Sequence, residues 1–360
     1  MERITALIPT YRRPHFLRRA ILSVLQQTYT NLQVNVFDNA SEDITEQVVS
    51  SLKEMDNRVF YCAHPSNIGA LRNFAYAFQS VNTPYFSILS DDDALAPEFY
   101  ERAINILEKH RDLMFVVLNT LSINEHADLT ANQENTSQLT FYYGENRLQL
   151  FNAHFTWTSI LFRKEVAKLY VEMDNRFDIA SDMRFLLLAI SRYDFAHLSE
   201  VGAFFTQQTH SISFSRKRFD MMHHVVQISR YLEVFYHAEI SQPFKEAAMI
   251  SIKKMLKSNR RESFITFIET LKLAIKRVCD DEHSDNLKLI EEIRDAKLAG
   301  FNVSAFFLKL IYQNKIIKSI ISILFSKYYL RLKERHQKEM LALQHGIYKN
   351  VFEKLKLISE

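Results

Sequence analysis

The chain has 360 residues, 47% of them hydrophobic and 24% charged. That supply of apolar residues supports one large core or two ordinary ones, and it excludes a low-complexity or disordered chain. A net charge of +3 excludes nucleic-acid binding by the molecule as a whole, and two cysteines, Cys62 and Cys279, make no disulfide framework.

Two lone thiols fit a reducing cytoplasm. No leader is expected, because Met1 runs straight into charges at Glu2 and Arg3 and then a strand-like run. Short apolar runs at Ile4–Pro9, Leu32–Asp38, Val59–His64, Tyr85–Leu89 and Met114–Leu118 read as buried parallel strands. Between the first two, Pro14–Gln27 places Phe16, Ala20, Ile21, Val24 and Leu25 on one helical face. Gly69–Phe78 and Pro97–His110 behave similarly, and Pro97 suits a first helical turn. This alternation predicts an α/β, Rossmann-like fold with a mainly parallel central sheet and helices on both faces. Ligands bind such sheets at the C-terminal ends of the strands.

From 121 to 146, Asn, Thr, Gln, Glu and Ser dominate, as in a long surface loop. Order is expected to return as a helix near Asn146–Ala153, a strand near Thr158–Phe162, a helix at Ser181–Tyr193 and a strand at His197–Thr206. Beyond about residue 215 only helical periodicity remains. The predicted division is a ligand-binding domain at 1–215 and an all-α region at 216–360, with the boundary near 211–218.

Residues 297–338 hold nine lysines and arginines, one acid (Glu334) and many apolar side chains. They could lie on an anionic membrane surface, or form a helical bundle or a homo-oligomer contact. The run Ile316–Phe325 is broken by Lys318 and is too short to span a bilayer. The expected location is cytoplasmic, with peripheral attachment to the inner face of the membrane as an option.

Asp91, Asp92 and Asp93 directly follow the strand Tyr85–Leu89. Adjacent carboxylates repel one another, and a divalent cation would relieve that repulsion. Hard oxygens suit Mg2+ or Mn2+, which take one or two carboxylates and complete their shell with substrate phosphates. The plain alternative is a solvated acidic turn. Asp38, Asn39, Ser41 and Asp43 form a second polar cluster after the second strand, where Ser41 or Asp43 could cap a helix. Pro9, Thr10, Tyr11, Arg12 and Arg13 end the first strand. Tyr and Arg at that point can stack on a base and offset phosphate charge. No zinc spacing, Walker sequence, nucleophile elbow or dinucleotide fingerprint appears.

Four segments in order, IPTYRRPHFLRRAILSVLQQTY, VFDNASED, NIGALRNFAYAF and ILSDDDALAPEFYE, resemble those of family 2 glycosyltransferases of the GT-A fold. The resemblance covers about the first 210 residues. It implies an inverting, DxD-containing enzyme that uses a nucleotide-sugar donor and Mn2+ or Mg2+. Residue by residue, it implies that Thr10, Tyr11 and Asp38 hold the nucleobase. Asp91 would contact ribose or sugar, Asp93 would bind the metal, and Asp92 would share either task. Asn67 and Arg72 or Asn73 would line the nucleotide side.

The stretch RFDIASDMRFLLLAISRYDFAHL resembles the family's helix that opens on the catalytic carboxylate. Asp182 is then the general base, with Asp174 and Asp178 as alternatives; a plain helix-capping role for Ser181 and Asp182 stays open. Many relatives close the domain with a Tyr-Arg-x-His-x-x-Ser-x-Ser run. Here Thr206 and Gln208 replace its Arg and His, and His210 sits two positions late, as a candidate for the metal or diphosphate. Trp157 either stacks on an acceptor sugar or belongs to the core. The predicted partners are a nucleoside-diphosphate sugar and a glycan or lipid-linked acceptor, in bacterial surface polysaccharide synthesis. A catalytically degenerate scaffold is one alternative. A sugar-phosphate nucleotidyltransferase is another, although that class needs a Gly-rich loop and Pro9–Pro14 holds no glycine.

Overall fold

A computed structural model describes residues 3–124, 126, 137–153, 155–173, 181–207, 230–235 and 237–257. The first strand, β1 (Ile4–Thr10), is buried along its whole length. It leads into α1 (Pro14–Leu25), which starts on Pro14, where the missing N–H is no loss. Leu17, Ala20, Ile21 and Val24 form the buried stripe of α1 at helical spacing.

Then follow β2 (Leu32–Asp38), α2 (Thr45–Met55), β3 (Val59–Ala63), α3 (Ala70–Gln79), β4 (Tyr85–Ile88) and β5 (Ala94–Leu95). The chain continues through α4 (Phe99–Lys109), β6 (Phe115–Ile123), β7 (Leu139–Tyr142) and β8 (Ile160–Arg163). It goes on to α5 (Ala167–Glu172), α6 (Ser181–Arg192), β9 (Phe195–Thr206) and, after helical residues 230–235, α7 (Gln242–Lys257).

The strands form one sheet in the order β3-β2-β1-β4-β8-β6-β9-β5, with β7 beside β9. The β3-β2-β1-β4 half is parallel throughout. In the other half, β6 and β9 are parallel, but β8 runs antiparallel to β4 and β6, and β5 and β7 run antiparallel to β9. The sheet is therefore mixed: its long pairings, such as β1 with β2 and β6 with β9, are parallel as expected, and its antiparallel pairings are short. The expected alternation holds only while each strand returns through a helix. β8 enters between β4 and β6 with no such crossover.

Side chains alternate between the two faces of the sheet. Ile4, Ala6 and Ile8 of β1 share a cluster with Leu17, Ile21, Val49, Phe99 and Leu107 of α1, α2 and α4. On the opposite face, Phe86 and Phe162 stack on each other, and they meet Phe78 of α3 and Phe185 of α6. Phe78 in turn stacks on Tyr170 of α5 at 4.2 Å. Helices thus cover both faces.

β6 runs five residues beyond the expected Leu118, and β7 lies inside the stretch read as a loop. A 3-10 turn at Gly144–Leu150 stands where a helix was expected from Asn146. The pairing of β6 with β9 shifts register around Asn119, and Gly202 sits at that irregularity. A Cβ on Gly202 would lie 2.6 Å from Leu118 Cβ and 2.9 Å from a ring carbon of Phe99. Gly202→Ala is therefore expected to destabilise the fold by about 1–3 kcal/mol, read as a lower urea midpoint at an unchanged slope.

The compact unit extends from Met1 to Met255, past the boundary expected near residues 211–218. α7 is why: Phe244, Ala248 and Ile252 are buried, Phe244 lies 6.0 Å from Phe151, and the Arg147 guanidinium covers the Phe244 ring at 4.9 Å. Tyr231 donates to Asn152 at 2.8 Å, a second fastening. Of the second unit, Leu256–Glu360, only the first two residues are described, so the readings placed on 297–338 lie outside the described residues. Among the described residues no helix is long and apolar enough to cross a membrane.

Candidate active site

The C-terminal ends of β1, β2 and β4 lie side by side in the parallel half, and the loops that follow them carry the polar residues. Two of these loops are strained. Arg12, Ala40 and Glu42 adopt φ of 55°, 58° and 54°, left-handed values that non-glycine residues take at a cost. Hydrogen bonds hold them there. Arg12 N donates to Ser41 Oγ at 2.8 Å, and Arg12 Nε donates to the Ser41 carbonyl at 3.0 Å. Asp38, 3% exposed, accepts from Ser41 N, Ser41 Oγ and the Tyr61 hydroxyl. Burial and the Asp38 carboxylate together push the Tyr61 phenol up.

Asn39 Nδ2 donates to Asn67 Oδ1, and Asn39 Oδ1 accepts from Ile68 N, so the loop before α3 is tied to the end of β2. Gly69 is needed in that loop because its φ is 86°. Tyr11 is exposed under the Arg12 guanidinium, and Pro9 is buried in β1. Arg72 is exposed on α3. Asn73 does not line the cleft as expected. It is 3% exposed, donates to the Phe37 carbonyl and bonds His64, and so fastens α3 to β2.

The turn after β4 brings the three aspartates together with different surroundings. Asp91 accepts from Thr10 Oγ1 at 2.7 Å and from Arg13 Nη1 at 3.1 Å. The same Arg13 nitrogen reaches Asp92 Oδ2 at 2.9 Å. Burial, opposed by Arg13 and reinforced by Asp92, pushes the Asp91 carboxyl up to about 6.

Asp93 points inward. It is 1% exposed, accepts from Thr158 Oγ1 at 2.7 Å and from Thr206 N at 2.9 Å, and is pushed up to about 7 by burial and then by Asp92. Both Asp93 oxygens are engaged by protein donors and shielded from solvent, which makes Asp93 the least open of the three aspartates to the metal role expected for it. The Asp92 side chain retains 16% exposure and is the carboxylate of the three most open to a ligand. Among the described residues no cluster of three or more His, Cys, Asp or Glu could hold a metal. Asp91 and Asp92 nevertheless fit the sparse pattern of Mg2+ or Mn2+ bound by one or two carboxylates plus substrate phosphates. His210, like Asp174 and Asp178, lies outside the described residues.

Trp157 is core rather than an acceptor platform. It is 7% exposed, and its ring lies 4.9 Å from Phe74 and 6.3 Å from Tyr170. Its indole N–H donates to Ser90 Oγ at 3.3 Å. Tyr170 OH in turn donates to Ser181 Oγ at 3.2 Å, the first residue of α6. This aromatic block thus bridges the aspartate turn and the start of α6, where Asp182 sits. Burial raises the Asp182 carboxyl, opposed by the N–H groups of Met183 and Asp182 itself. Two residues on, Arg184 is 0% exposed and pairs with Glu233 at 2.7 Å.

Sequence reasoning missed Arg19, Tyr61 and Thr158, and it noted Thr206 only as a departure. Motif position gave none of them a role; their partners lie 23 to 187 residues away in the chain.

Residues 5–170 match the family model for glycosyl transferase family 2. An uncharacterised glycosyltransferase of Rickettsia bellii is 35% identical over 106 residues, 29% of this chain and 15% of that protein. Matches to the first curated relatives span only 15–32% of those relatives' length. Among solved structures, S. aureus TarS 1–349 in complex with UDP-GlcNAc has a TM-score of 0.57 at 13% identity, covering 85% of this chain and 95% of that one. The mannosyltransferase PcManGT from Pyrobaculum calidifontis, in complex with GDP-Man and Mn2+, has a TM-score of 0.52 at 12% identity, covering 82% and 85%. At such identities the likeness is one of fold. The aspartate turn at the end of β4 and the mixed GT-A-like sheet lie within residues 5–170 or extend from them, and that part of the chain is similar to glycosyl transferase family 2.

Proposed function

We propose that the chain transfers a sugar from a nucleoside-diphosphate sugar to an acceptor hydroxyl with inversion, with help from a divalent cation. The carrying observation is the Asp91–Asp92 pair at the end of β4, bridged by one nitrogen of Arg13. Asp38 and Tyr11 flank the base and ribose side, with Thr10 holding Asp91 in place. Asp92, with Asp91 beside it, would hold Mn2+ or Mg2+, which when bound neutralises the departing diphosphate. Arg13, already between the two carboxylates, is placed to meet the same phosphates.

Asp182 takes the proton of the acceptor hydroxyl as that oxygen attacks the anomeric carbon. The aromatic block of Trp157 and Tyr170 keeps α6 in register with the aspartate turn. One bond forms, acceptor oxygen to anomeric carbon, while the bond from that carbon to the diphosphate oxygen breaks. Rate then comes mainly from positioning and electrostatic stabilisation. The UDP-GlcNAc and GDP-Man complexes of the fold neighbours, TarS and PcManGT, support the donor class, and PcManGT's Mn2+ supports the cation. A glycan or lipid-linked acceptor of bacterial surface polysaccharide synthesis remains our reading of the acceptor side.

Calorimetry with UDP, GDP, dTDP and CMP, each with and without Mn2+, tests this on wild type and Asp92→Asn. One nucleotide should bind in a Mn2+-dependent way, and Asp92→Asn should abolish the dependence. Lack of binding by any of the four would overturn the reading in favour of a scaffold.

A further inference from the structure

The aspartate turn is closed into a ring by Arg19 and Thr206, residues far apart in the chain. Asp93 Oδ1 accepts from Thr206 N at the end of β9. Thr206 Oγ1 accepts from Arg19 Nη2 at 2.6 Å, and the same nitrogen donates to the Asp92 carbonyl at 2.5 Å. The peptide from Asp92 to Asp93 completes the circuit. We propose that Arg19 and Asp93 are positioning residues, which lock the Asp92 peptide so that the Asp92 carboxylate faces the cation and the donor diphosphate. The proposal rests on the donor-site reading above.

The physical case has three parts. Three consecutive carboxylates repel, and a free turn would let them splay. Asp93 resolves part of this by turning inward to Thr158 and Thr206. Arg19 fixes the Asp92 carbonyl, and so the direction in which the Asp92 side chain leaves the backbone. A site of this kind works only when its ligand is held within about 0.5 Å, so the supporting bonds set affinity. Arg19 Nε is buried with no hydrogen-bond partner. That cost makes Arg19 a poor choice for stability alone, and the two bonds of Nη2 offset it.

The test is binding of UDP with Mn2+ by calorimetry, alongside thermal unfolding, for the full chain and three variants. Arg19→Gln should weaken Mn2+-dependent UDP binding by about tenfold or more, as expected for loss of charge-assisted bonds, while binding without Mn2+ is unchanged. Arg19→Lys should restore most of the affinity, because one ammonium can donate to both acceptors served by the single Nη2. Thr206→Val removes one acceptor at constant shape and should weaken binding by about threefold to tenfold. If Arg19→Gln fails to fold, Lys and Val carry the test. Wild-type affinity in Thr206→Val and Arg19→Gln, or a loss in proportion to unfolding that lysine does not rescue, would overturn the inference. Absence of Mn2+-dependent binding by wild type itself would overturn the donor-site reading and this inference with it.

Discussion

Replacing Asp182 by asparagine is expected to cut sugar transfer by about 10²–10⁴-fold, the usual loss when a general base is removed, and to leave Mn2+-dependent nucleotide binding close to wild type. The separation follows from the structure. Asp182 opens α6, whereas Thr10, Arg13, Asp91 and Asp92 meet at the ends of β1 and β4. A second readout is the pH profile. A base acts only when deprotonated, and burial raises the Asp182 carboxyl, so the ascending limb of kcat/KM should lie above the range of an ordinary carboxylate. In Asp182→Asn that limb should disappear with the lost activity. Near-normal turnover in the variant, or an ascending limb no higher than that of a solvated aspartate, would remove Asp182 from the role.

The second large effect is expected at Glu233. Its carboxylate meets Arg184, whose guanidinium is fully buried in α6, and it comes from the helical stretch 230–235, beyond the family match that ends at residue 170. Removing one partner of a buried pair leaves the other charge in a poor environment, which costs about 3–5 kcal/mol. Glu233→Ala should therefore lower unfolding free energy by that order, read in urea at pH 7. Glu233→Gln should lose less, since its carbonyl still accepts from Arg184. If alanine and glutamine variants unfold like wild type, the pair is not what holds residues 230–257 onto α6. Arg192 with Glu239 makes a second, more exposed link between the same regions, and it should matter much less.

The parallel half of the sheet was legible because its residues act locally. β2 begins and ends where its apolar run does, β1 runs one residue longer, and Pro14 marks the start of α1. The similarity of residues 5–170 to glycosyl transferase family 2 was legible for the same reason, since its motifs are strand ends and the loops after them. What escaped depends on partners distant in sequence. β5 is two residues long and exists because Ala203 and Phe204 of β9 lie opposite it. β7 sits in a polar stretch and pairs with β9, so composition alone reads it as a loop.

The aspartates teach the same lesson at the level of side chains. Three identical carboxylates in a row give no sign of which turns inward. Thr158 and Thr206 decide that, from 65 and 113 residues away. Trp157 is another case. A single tryptophan near a sugar site suggests stacking, but Phe74, Phe78 and Tyr170 enclose it. Asn73 falls at a family position yet spends both ends of its amide on Phe37 and His64.

The ring around the aspartate turn also bears on how the protein is born. Its bonds join residue 19 to residue 206, and residue 93 to residue 206. During synthesis the segment matched by the family model emerges before β9 and can lay down β1 through β4. The turn that carries Asp92 nevertheless lacks two of its fastenings until the end of β9 has left the ribosome. Donor affinity should therefore appear late, in a single step, on nascent chains of increasing length. Cells in which translation stops before residue 206 would hold a polypeptide bearing every aspartate of the motif, yet poorly able to grip the nucleotide proposed for it.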